Sequence, residues 1–318
     1  MTRIALVAYP GHQVSALLGL EDLLTLAAAT SRSGGGADLS VAIADPAHLP
    51  DPPEIAILPP NLSGARGAAD HALHDWLRAA HTQGTTLASV CAGAFWLGHA
   101  GLLDGRPATT HWALEDEFRT AFPAARLMPE HILIDDHDIV TAGGLMAWTD
   151  LGLHFVNRLL GPDILTRTAR HLLIDPRGRD QRNWRSFRPN LAHGDTAILA
   201  LQRRIAANPA ADLTVTALAA HAAMSERSLH RRFRAATGLA PNAYVQAVRI
   251  EAARGRLERS RDAVADIAFA VGYTDTAAFT RLFRTTTGLT PSDYRTRFSV
   301  LRPGSGTGNG LDNTAIDR

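Results

Sequence analysis

One cysteine and one histidine are the side chains best placed for chemistry in this 318-residue chain. Cys91 follows the apolar run Ala88-Ser-Val, at the point where a helical pattern begins. Such a strand-to-helix junction is typical of a nucleophile elbow, and a thiol at a helix N-terminus has a lowered pKa. His111 ends another expected strand further along, which would place its imidazole beside the sulfur. The spacing alone leaves two interpretations equally open: a functional Cys/His pair, or a small buried cysteine near an unrelated histidine.

The other histidines form no recognisable metal site. His71, His74 and His81 recur at irregular spacing on an expected surface helix, and we expect them to face solvent. With a single cysteine and no His-Glu-x-x-His pattern, the sequence predicts neither a metal ion nor a cofactor.

A second set of candidate residues lies in a stretch that the chain repeats fifty residues later. Residues 225–244 and 275–294 share eight identities in register. The shared residues are Arg231, Phe233, Arg234, Thr237, Gly238, Leu239, Pro241 and Tyr244 in the first copy, and Arg281, Phe283, Arg284, Thr287, Gly288, Leu289, Pro291 and Tyr294 in the second. Two copies are too few for a solenoid, so we interpret the repeat as one helical unit used twice.

Each copy has the pattern of a helix–turn–helix. In the first copy, Ser225 is a suitable N-cap for the second helix and Gly238 a suitable residue to end it. Apolar residues at i, i+4 spacing define the inner face of this helix, and arginines lie opposite. Outward arginines suit the DNA major groove, where the guanidinium binds guanine through a bidentate fork. A solvated basic face is the alternative for one such helix, but its repetition in the same phase favours DNA binding.

A connecting helix is expected between the copies, because residues 242–259 are rich in Ala, Arg, Leu and Glu and contain no proline. A helix of this length spans ~27 Å. Successive major grooves on one face of DNA are ~34 Å apart. The sequence therefore predicts two reading helices held at a fixed spacing.

The first half of the chain predicts the framework that would position Cys91 and His111. Short apolar strands alternate with amphipathic helices up to about residue 173. This alternation indicates a doubly wound α/β fold of flavodoxin-like type with a mostly parallel sheet, whose ligands bind at the carboxyl ends of the strands. We expect strands at 3–9, 40–44, 55–58 and 85–90, and helices at 14–30, 68–83, 92–100, 114–121 and 147–160.

Charge is distributed unevenly, although the net charge of the chain is only +1. Residues 1–166 carry 8 Arg and 18 acidic residues, whereas residues 196–302 carry 16 Arg and 8 acidic residues. An acidic body is thus joined to a basic module that suits a polyanion. The single cysteine excludes an internal disulfide framework. We find no signal-peptide pattern and no apolar run of eighteen residues, so we expect a cytoplasmic protein without a membrane partner.

The second half of the chain resembles the AraC/XylS family of bacterial transcription regulators. The motifs that carry the resemblance are IAFAVGYTD at 267–275, FTRLFR at 279–284 and TGLTPSDYR at 287–295. The resemblance covers residues 197–298 and implies an all-α domain whose two helix–turn–helix units bind double-stranded DNA. The family's base-reading positions fall on Arg227, His230 and Arg231 in the first unit, and on Thr276, Ala277, Thr280 and Arg281 in the second. The outward Arg234 and Arg284 complete the expected DNA-binding set.

The first half resembles the class I glutamine-amidotransferase-like, or PfpI-type, domain that precedes an AraC-type domain in the GlxA-like regulators. The resemblance covers residues 3–165 and rests on Cys91-Ala-Gly, Gly101-Leu-Leu-Asp-Gly-Arg, Ala108-Thr-Thr-His-Trp, Thr141-Ala-Gly-Gly and Asp150-Leu-Gly-Leu-His. It implies an effector-sensing domain that binds a small molecule, and nitrogenous compounds are the first candidates. The implied ligand-binding residues are Gly11, Cys91, Ala92 and His111.

Two departures from the catalytic relatives indicate a sensor that binds without turnover. The window after Pro10-Gly11 that carries a carboxylate in related sequences reads Ser15-Ala-Leu, and Glu21 and Asp22 come later in the helix. The enzymes have glycines after the third strand, whose N–H helps to bind an oxyanion. This chain has Pro59-Pro-Asn there, and proline has no N–H.

The two resemblances together predict a ligand-regulated, sequence-specific DNA-binding transcription factor. We expect a sensing domain at 1–174, an Arg-rich linker at 175–195, a DNA-binding domain at 196–300 and a flexible tail at 301–318. The linker arginines would either contact phosphates or pair with the acidic first domain. The resemblance also implies a homodimer, with RNA polymerase as a further candidate partner. Two alternatives stay open: a cysteine-dependent amidase or hydratase tethered to DNA, and a redox sensor that reads oxidation of Cys91.

Overall fold

The computed structural model describes residues 1–63, 67, 69–176 and 180–301. The chain forms two compact units, the first ending at Arg185 and the second beginning at Ser186. The tail expected at 301–318 falls outside the described residues, except for its first residue.

Two sheets make up the strand structure of the described part of the first unit. Their strands are β1 (Thr2–Val7), β2 (Leu39–Ala44), β3 (Ile55–Leu58), β4 (Thr86–Val90), β5 (Pro107–Ala108), β6 (Arg126–Leu127), β7 (Leu133–Asp136) and β8 (Ile139–Ala142). The larger sheet has the order β2-β1-β3-β4-β8-β7, and β5 pairs with β6 separately. Neighbouring strands of the larger sheet are parallel except β7, which runs antiparallel to β8. The mostly parallel, flavodoxin-like sheet is thus confirmed.

Helices pack on both faces of the larger sheet. They are α1 (Val14–Ser33), α2 (His71–Thr82), α3 (Ala94–His99), α4 (Glu115–Ala121), α5 (Trp148–Leu160) and α6 (Pro162–Leu172). The strand β3 shows why two cores form: Ile55 and Ile57 join one apolar cluster, whereas Ala56 and Leu58 join the other. Side chains alternate along a strand, so a fully apolar strand needs cover on both faces.

The helix α1 is long and apolar enough to cross a membrane by length and composition alone. Its residues Leu20, Leu24 and Ala27 are almost completely buried in the cluster on one face of the sheet. This packing is that of a core helix in a globular unit.

In the described part of the second unit, all regular secondary structure is helical. Its helices are α7 (Thr196–Ala207), α8 (Val215–His221), α9 (Glu226–Thr237), α10 (Pro241–Arg259), α11 (Val264–Ala270), α12 (Thr276–Thr287) and α13 (Pro291–Phe298). The pairs α8–α9 and α11–α12 are the two predicted helix–turn–helix copies.

Both copies have the same local construction. Ser225 caps α9 by accepting a backbone N–H of the first turn at 3.2 Å, and Asp275 caps α12 in the same way at 2.8 Å. Gly238 and Gly288 end these helices, each with a φ of 77°. This left-handed conformation favours glycine, which explains why both copies carry Thr-Gly-Leu there.

The helix α10 connects the copies and packs in the core of each. Tyr244 and Val245 belong to the apolar cluster of the first copy, and Ile250, Ala253 and Leu257 to that of the second. Its 19 residues form one uninterrupted helix. The predicted connecting helix is therefore present.

The histidines expected to face solvent do not share one environment. His74 is only 3% exposed, and its ring centroid lies 5.8 Å from that of His99. Burial lowers the pKa of both imidazoles. His81 instead bonds the carboxylate of Asp138 at 2.6 Å. The expectation was wrong for His74, because Leu73 and Leu77 turn that face of α2 into the core.

The segment expected as a linker is divided between the two units. Residues 180–185 pack on the first unit, where Gln181 is 3% exposed. Arg185 pairs with Glu115 of this unit at 2.6 Å. At Arg185, pairing with the acidic first unit is thus the arrangement that the structure shows.

Candidate functional site

Cys91 lies where the sequence predicts it, at the junction of β4 with a short 3₁₀ turn, Cys91–Gly93, that leads into α3. Its φ is 55°, a left-handed conformation that non-glycine residues adopt only when the surrounding structure holds them. The residue is 3% exposed. The backbone geometry of a nucleophile elbow is therefore present, with the thiol in a buried position.

Gly93 shows how tightly the turn after Cys91 packs. A Cβ at Gly93 would lie 2.6 Å from the carbonyl oxygen of Leu58 and 2.8 Å from that of Pro59. The end of β3 therefore directs carbonyl oxygens at this turn. An oxyanion needs N–H donors, and neither Pro59 nor Pro60 has one.

Thr110 joins the cysteine turn to the segment that carries His111. Its hydroxyl donates to the carbonyl oxygen of Cys91 at 2.7 Å. In the next residue, the Nδ1 of His111 accepts the backbone N–H of Ala113 at 3.0 Å. Because Nδ1 is an acceptor, the neutral imidazole carries its proton on Nε2. The structure thus brings the backbones of the two predicted residues together and fixes the tautomer of the histidine.

Gln181 is a site residue that the sequence did not reveal. Its side-chain Nε2 donates to the carbonyl oxygens of Thr110 and His131, both at 2.9 Å. Its Oε1 accepts the backbone N–H of Trp112 at 3.1 Å. Both peptide neighbours of His111 are therefore bonded to one buried amide.

Gly143 provides the space that Gln181 occupies. A Cβ at Gly143 would lie 2.0 Å from Nε2 of Gln181 and 2.6 Å from the carbonyl oxygen of Thr110. The glycine follows β8, and its N–H donates to the carbonyl oxygen of Ile132 at 2.8 Å. The Ala-Gly-Gly motif thus serves the packing of Gln181 against the site.

A pocket of 410 Å³ opens beside His111. Its lining residues are His111, Trp112, Ile132, Gly143, Gly144, Leu145, Met146, Ala147, Gln181 and Trp184. Most of these are apolar or aromatic, which is typical of a small-molecule site. The other residues predicted to bind ligand, Cys91, Ala92 and Gly11, are not among the described lining residues. Ala92 is buried, and Gly11 lies in the exposed loop after β1 with a φ of 80°.

The outward face of α9 carries the residues predicted to bind DNA in the first copy. Arg227, His230, Arg231 and Arg234 are all exposed. The opposite face is fully buried through residues such as Phe233.

The arginine at position 232 has a different role. It forms two hydrogen bonds to the carboxylate of Asp195, at 2.7 and 2.9 Å, and so joins α9 to the start of α7. Asp195 itself caps α7. Arg232 is therefore a structural arginine, whereas its neighbours face outward.

The outward face of α12 is less basic than that of α9. Thr276, Ala277, Arg281 and Arg284 are exposed, and Thr280 is half-buried with its hydroxyl donating to the carbonyl oxygen of Thr276 at 2.8 Å. The guanidinium of Arg281 lies 4.0 Å from the carboxylate of Asp275. Arginine is the only residue type on this face with a bidentate donor group, and α12 exposes fewer arginines than α9. The two copies therefore present different surfaces.

Comparison with known proteins places both units in described families. The DJ-1/PfpI family matches residues 48–158, and a helix-turn-helix domain matches residues 218–297. The HTH-type transcriptional regulator GlxA of Rhizobium meliloti is 31% identical over 230 residues, which cover 71% of this chain and 70% of that protein. The HTH-type transcriptional regulator CdhR of Pseudomonas aeruginosa is 29% identical over 240 residues, covering 74% and 70%.

An enzyme is also among the similar proteins, over a shorter stretch. Isonitrile hydratase of Pseudomonas putida is 37% identical over 90 residues, which cover 28% of this chain and 38% of the enzyme. The likeness to GlxA is longer than either unit of this chain, so it spans both. An α/β unit of DJ-1/PfpI type is thus followed by two helix–turn–helix copies, in the arrangement of those regulators. The chain belongs to the family of AraC-type helix-turn-helix transcriptional regulators with an N-terminal DJ-1/PfpI domain.

Proposed function

We propose that this regulator reads two unlike half-sites on double-stranded DNA with α9 and α12. The observation that carries the proposal is the repeated outward arginine face, Arg231 and Arg234 on α9 and Arg281 and Arg284 on α12. Arginine binds guanine O6 and N7 in the major groove, or a phosphate. Residues that differ between the copies, Arg227 against Ala277, lie on the same faces and would give each half-site its own sequence.

The first unit senses a small effector near Cys91 and His111 in this proposal. Support comes from the pocket beside His111 and from the bond between Thr110 and the carbonyl of Cys91. The effector would change the arrangement or oligomeric state of the first units and thereby promoter binding. A homodimer in the cytoplasm, acting with RNA polymerase, fits a regulator of this family.

We infer that the first unit is a non-catalytic relative of cysteine-dependent enzymes. The similar proteins that span both units are transcriptional regulators. The carbonyl oxygens of Leu58 and Pro59 approach the turn after Cys91, and Pro59 and Pro60 have no N–H to donate to an oxyanion. Losing one such donor costs about 3–4 kcal/mol of transition-state stabilisation.

The DNA-reading assignment is tested by replacing Arg231 and Arg281 with alanine together. Each bidentate arginine–guanine pair contributes about 1–3 kcal/mol, so we expect affinity for an operator obtained by in vitro selection to fall by about 2–6 kcal/mol. Gel shifts at fixed salt, with selected and scrambled duplexes, measure this loss.

The matched control removes the same charge from α7 through Arg203→Ala and Arg204→Ala, two exposed positions. We expect the control to weaken selected and scrambled duplexes alike. A sequence preference that survives the Arg231/Arg281 replacement would refute the assignment.

A further inference from the structure

Exposed apolar side chains converge on one pocket of the first unit. Leu145, Met146 and Trp184 are 39, 51 and 50% exposed, and all three line the pocket beside His111, so they form one apolar patch. Its volume of 410 Å³ is within the range of sites that hold a compact organic molecule. The pocket therefore has the shape and the walls of a ligand site.

The polar groups of the pocket restrict the kind of ligand. Because its Nδ1 accepts the N–H of Ala113, His111 can donate only through Nε2. The indole rings of Trp112 and Trp184 offer flat apolar surface. A flat apolar body that carries a carbonyl oxygen matches both features.

One wall of this pocket comes from the segment that leads to the second unit. Gln181 and Trp184 line the pocket and belong to residues 180–185, after which the second unit begins at Ser186. The segment is held by the amide of Gln181 and by the ion pair of Arg185 with Glu115. A molecule in the pocket would contact the same segment that continues into the DNA-binding unit.

We propose that this pocket binds a small aromatic amide or acid, and that Gln181 couples its occupancy to the attachment of residues 180–185. The proposal rests on the proposed effector-sensing function and specifies its ligand class and its route to the second unit. A ligand that contacts Trp184 binds the attached segment more tightly than a detached one, so it shifts the equilibrium towards attachment. Gln181 is a positioning residue in this scheme, because it holds Thr110 and Trp112 on either side of His111.

Limited trypsin digestion of the full chain tests the proposal, because Arg182 and Arg185 lie within the segment. While the segment is attached, Arg185 pairs with Glu115 at 2.6 Å, and Arg182 pairs within the segment with Asp180 at 2.6 Å. Mass spectrometry identifies cuts after these two residues. We expect phenylacetamide and phenylacetate to slow them severalfold, whereas phenethylamine, which lacks the carbonyl oxygen, gives no protection.

Two variants separate the roles of the wall residues. Gln181→Ala removes the amide network, so we expect faster cleavage without probe and no protection with it. Trp184→Ala removes an exposed wall of the pocket while the Gln181 bonds remain, so we expect weaker protection by the carbonyl probes than in the wild type. Gln202→Ala is the matched control, because Gln202 is an equally buried amide in the second unit, 1% exposed.

The outcomes distinguish this proposal from the DNA-reading function. Protection by neither carbonyl probe overturns the ligand class, and unchanged cleavage in Gln181→Ala overturns the coupling role of Gln181. Gel shifts with the same variants report operator binding separately. If the sequence preference is intact but the probes give no protection, this inference is refuted and the DNA-reading function is unaffected.

Discussion

Cys91 combines a strained backbone with near-complete burial. Its φ of 55° places the thiol at the elbow, but its exposed fraction is 3%, and carbonyl oxygens of Leu58 and Pro59 surround the next turn. The strained backbone of a nucleophile elbow is thus kept beside Pro59 and Pro60, two residues that have no N–H to offer an oxyanion. A residue can keep a left-handed φ because the fold needs a turn at that position.

Replacement of Cys91 by serine tests whether the thiol performs chemistry. We expect wild-type protein to show no turnover of amides, nitriles or isonitriles, and Cys91→Ser to keep both operator binding and its response to effector. Product formation is followed by mass spectrometry and binding by gel shift, with Cys91→Ala as the matched control. Turnover by the wild type that disappears in Cys91→Ser would show instead that the first unit is an enzyme.

The contrast between Cys91 and Gln181 shows what the sequence could predict of the site. The position of Cys91 follows from a local pattern, an apolar strand that runs directly into a helix. Gln181 meets Trp112 69 residues away and His131 50 residues away, and no local pattern marks such an amide network. His74 differs from Gln181, because the neighbouring Leu73 and Leu77 of its own helix mark the face that is buried.

At the scale of elements, α10 fixes the distance between the reading helices. Its 19 residues rise ~28 Å, and its side chains pack in the cores of both copies. The sequence predicted this helix, as well as β3 at Ile55–Leu58, because composition and turn residues mark both locally. The sequence predicts a linker at 175–195, because the attachment of residues 180–185 depends on contacts with the rest of the first unit that no local pattern marks.

The rigidity of α10 predicts how operator spacing affects binding. Inserting 5 base pairs between the half-sites turns one of them to the opposite face of the duplex, and inserting 10 restores the face at a greater distance. We expect both insertions to lower affinity to the level of a single half-site, because the helix does not lengthen.

Gel shifts at one salt concentration measure this effect, with duplexes that carry 0, 5 or 10 inserted base pairs. A duplex with one scrambled half-site is the control. Recovery of affinity at 10 inserted base pairs would mean that the connection between the copies is flexible.

At the scale of the whole molecule, acidic and basic side chains are concentrated in different parts of the chain. The acidic first unit repels DNA, whereas residues 196–302 carry 16 Arg against 8 acidic residues. We therefore expect attraction to the duplex to come from the second unit, which leaves the first unit for the effector binding that we propose. The chain contains no lysine, so apart from the histidines every basic side chain is a planar guanidinium that stays charged.

Salt dependence of the full chain distinguishes phosphate contacts from base contacts. Arg234 and Arg284 end the outward faces of α9 and α12, and we expect them to bind phosphates. Replacing both by alanine should make the negative slope of log affinity against log salt shallower by about 2. The sequence preference should be unchanged. The Arg231/Arg281 pair serves as the comparison, since its loss should relax the preference. An unchanged slope in the Arg234/Arg284 variant would exclude phosphate binding by these residues.

The sharing of α10 between two cores has a consequence for folding. Loss of the core around Phe233 would remove the support of Tyr244 and Val245, and the same helix would then no longer hold Ile250 and Leu257 in place. The two copies should consequently melt in a single cooperative transition instead of one after the other. A destabilised regulator would then dissociate completely from its promoter. No partly folded form would remain bound to one half-site.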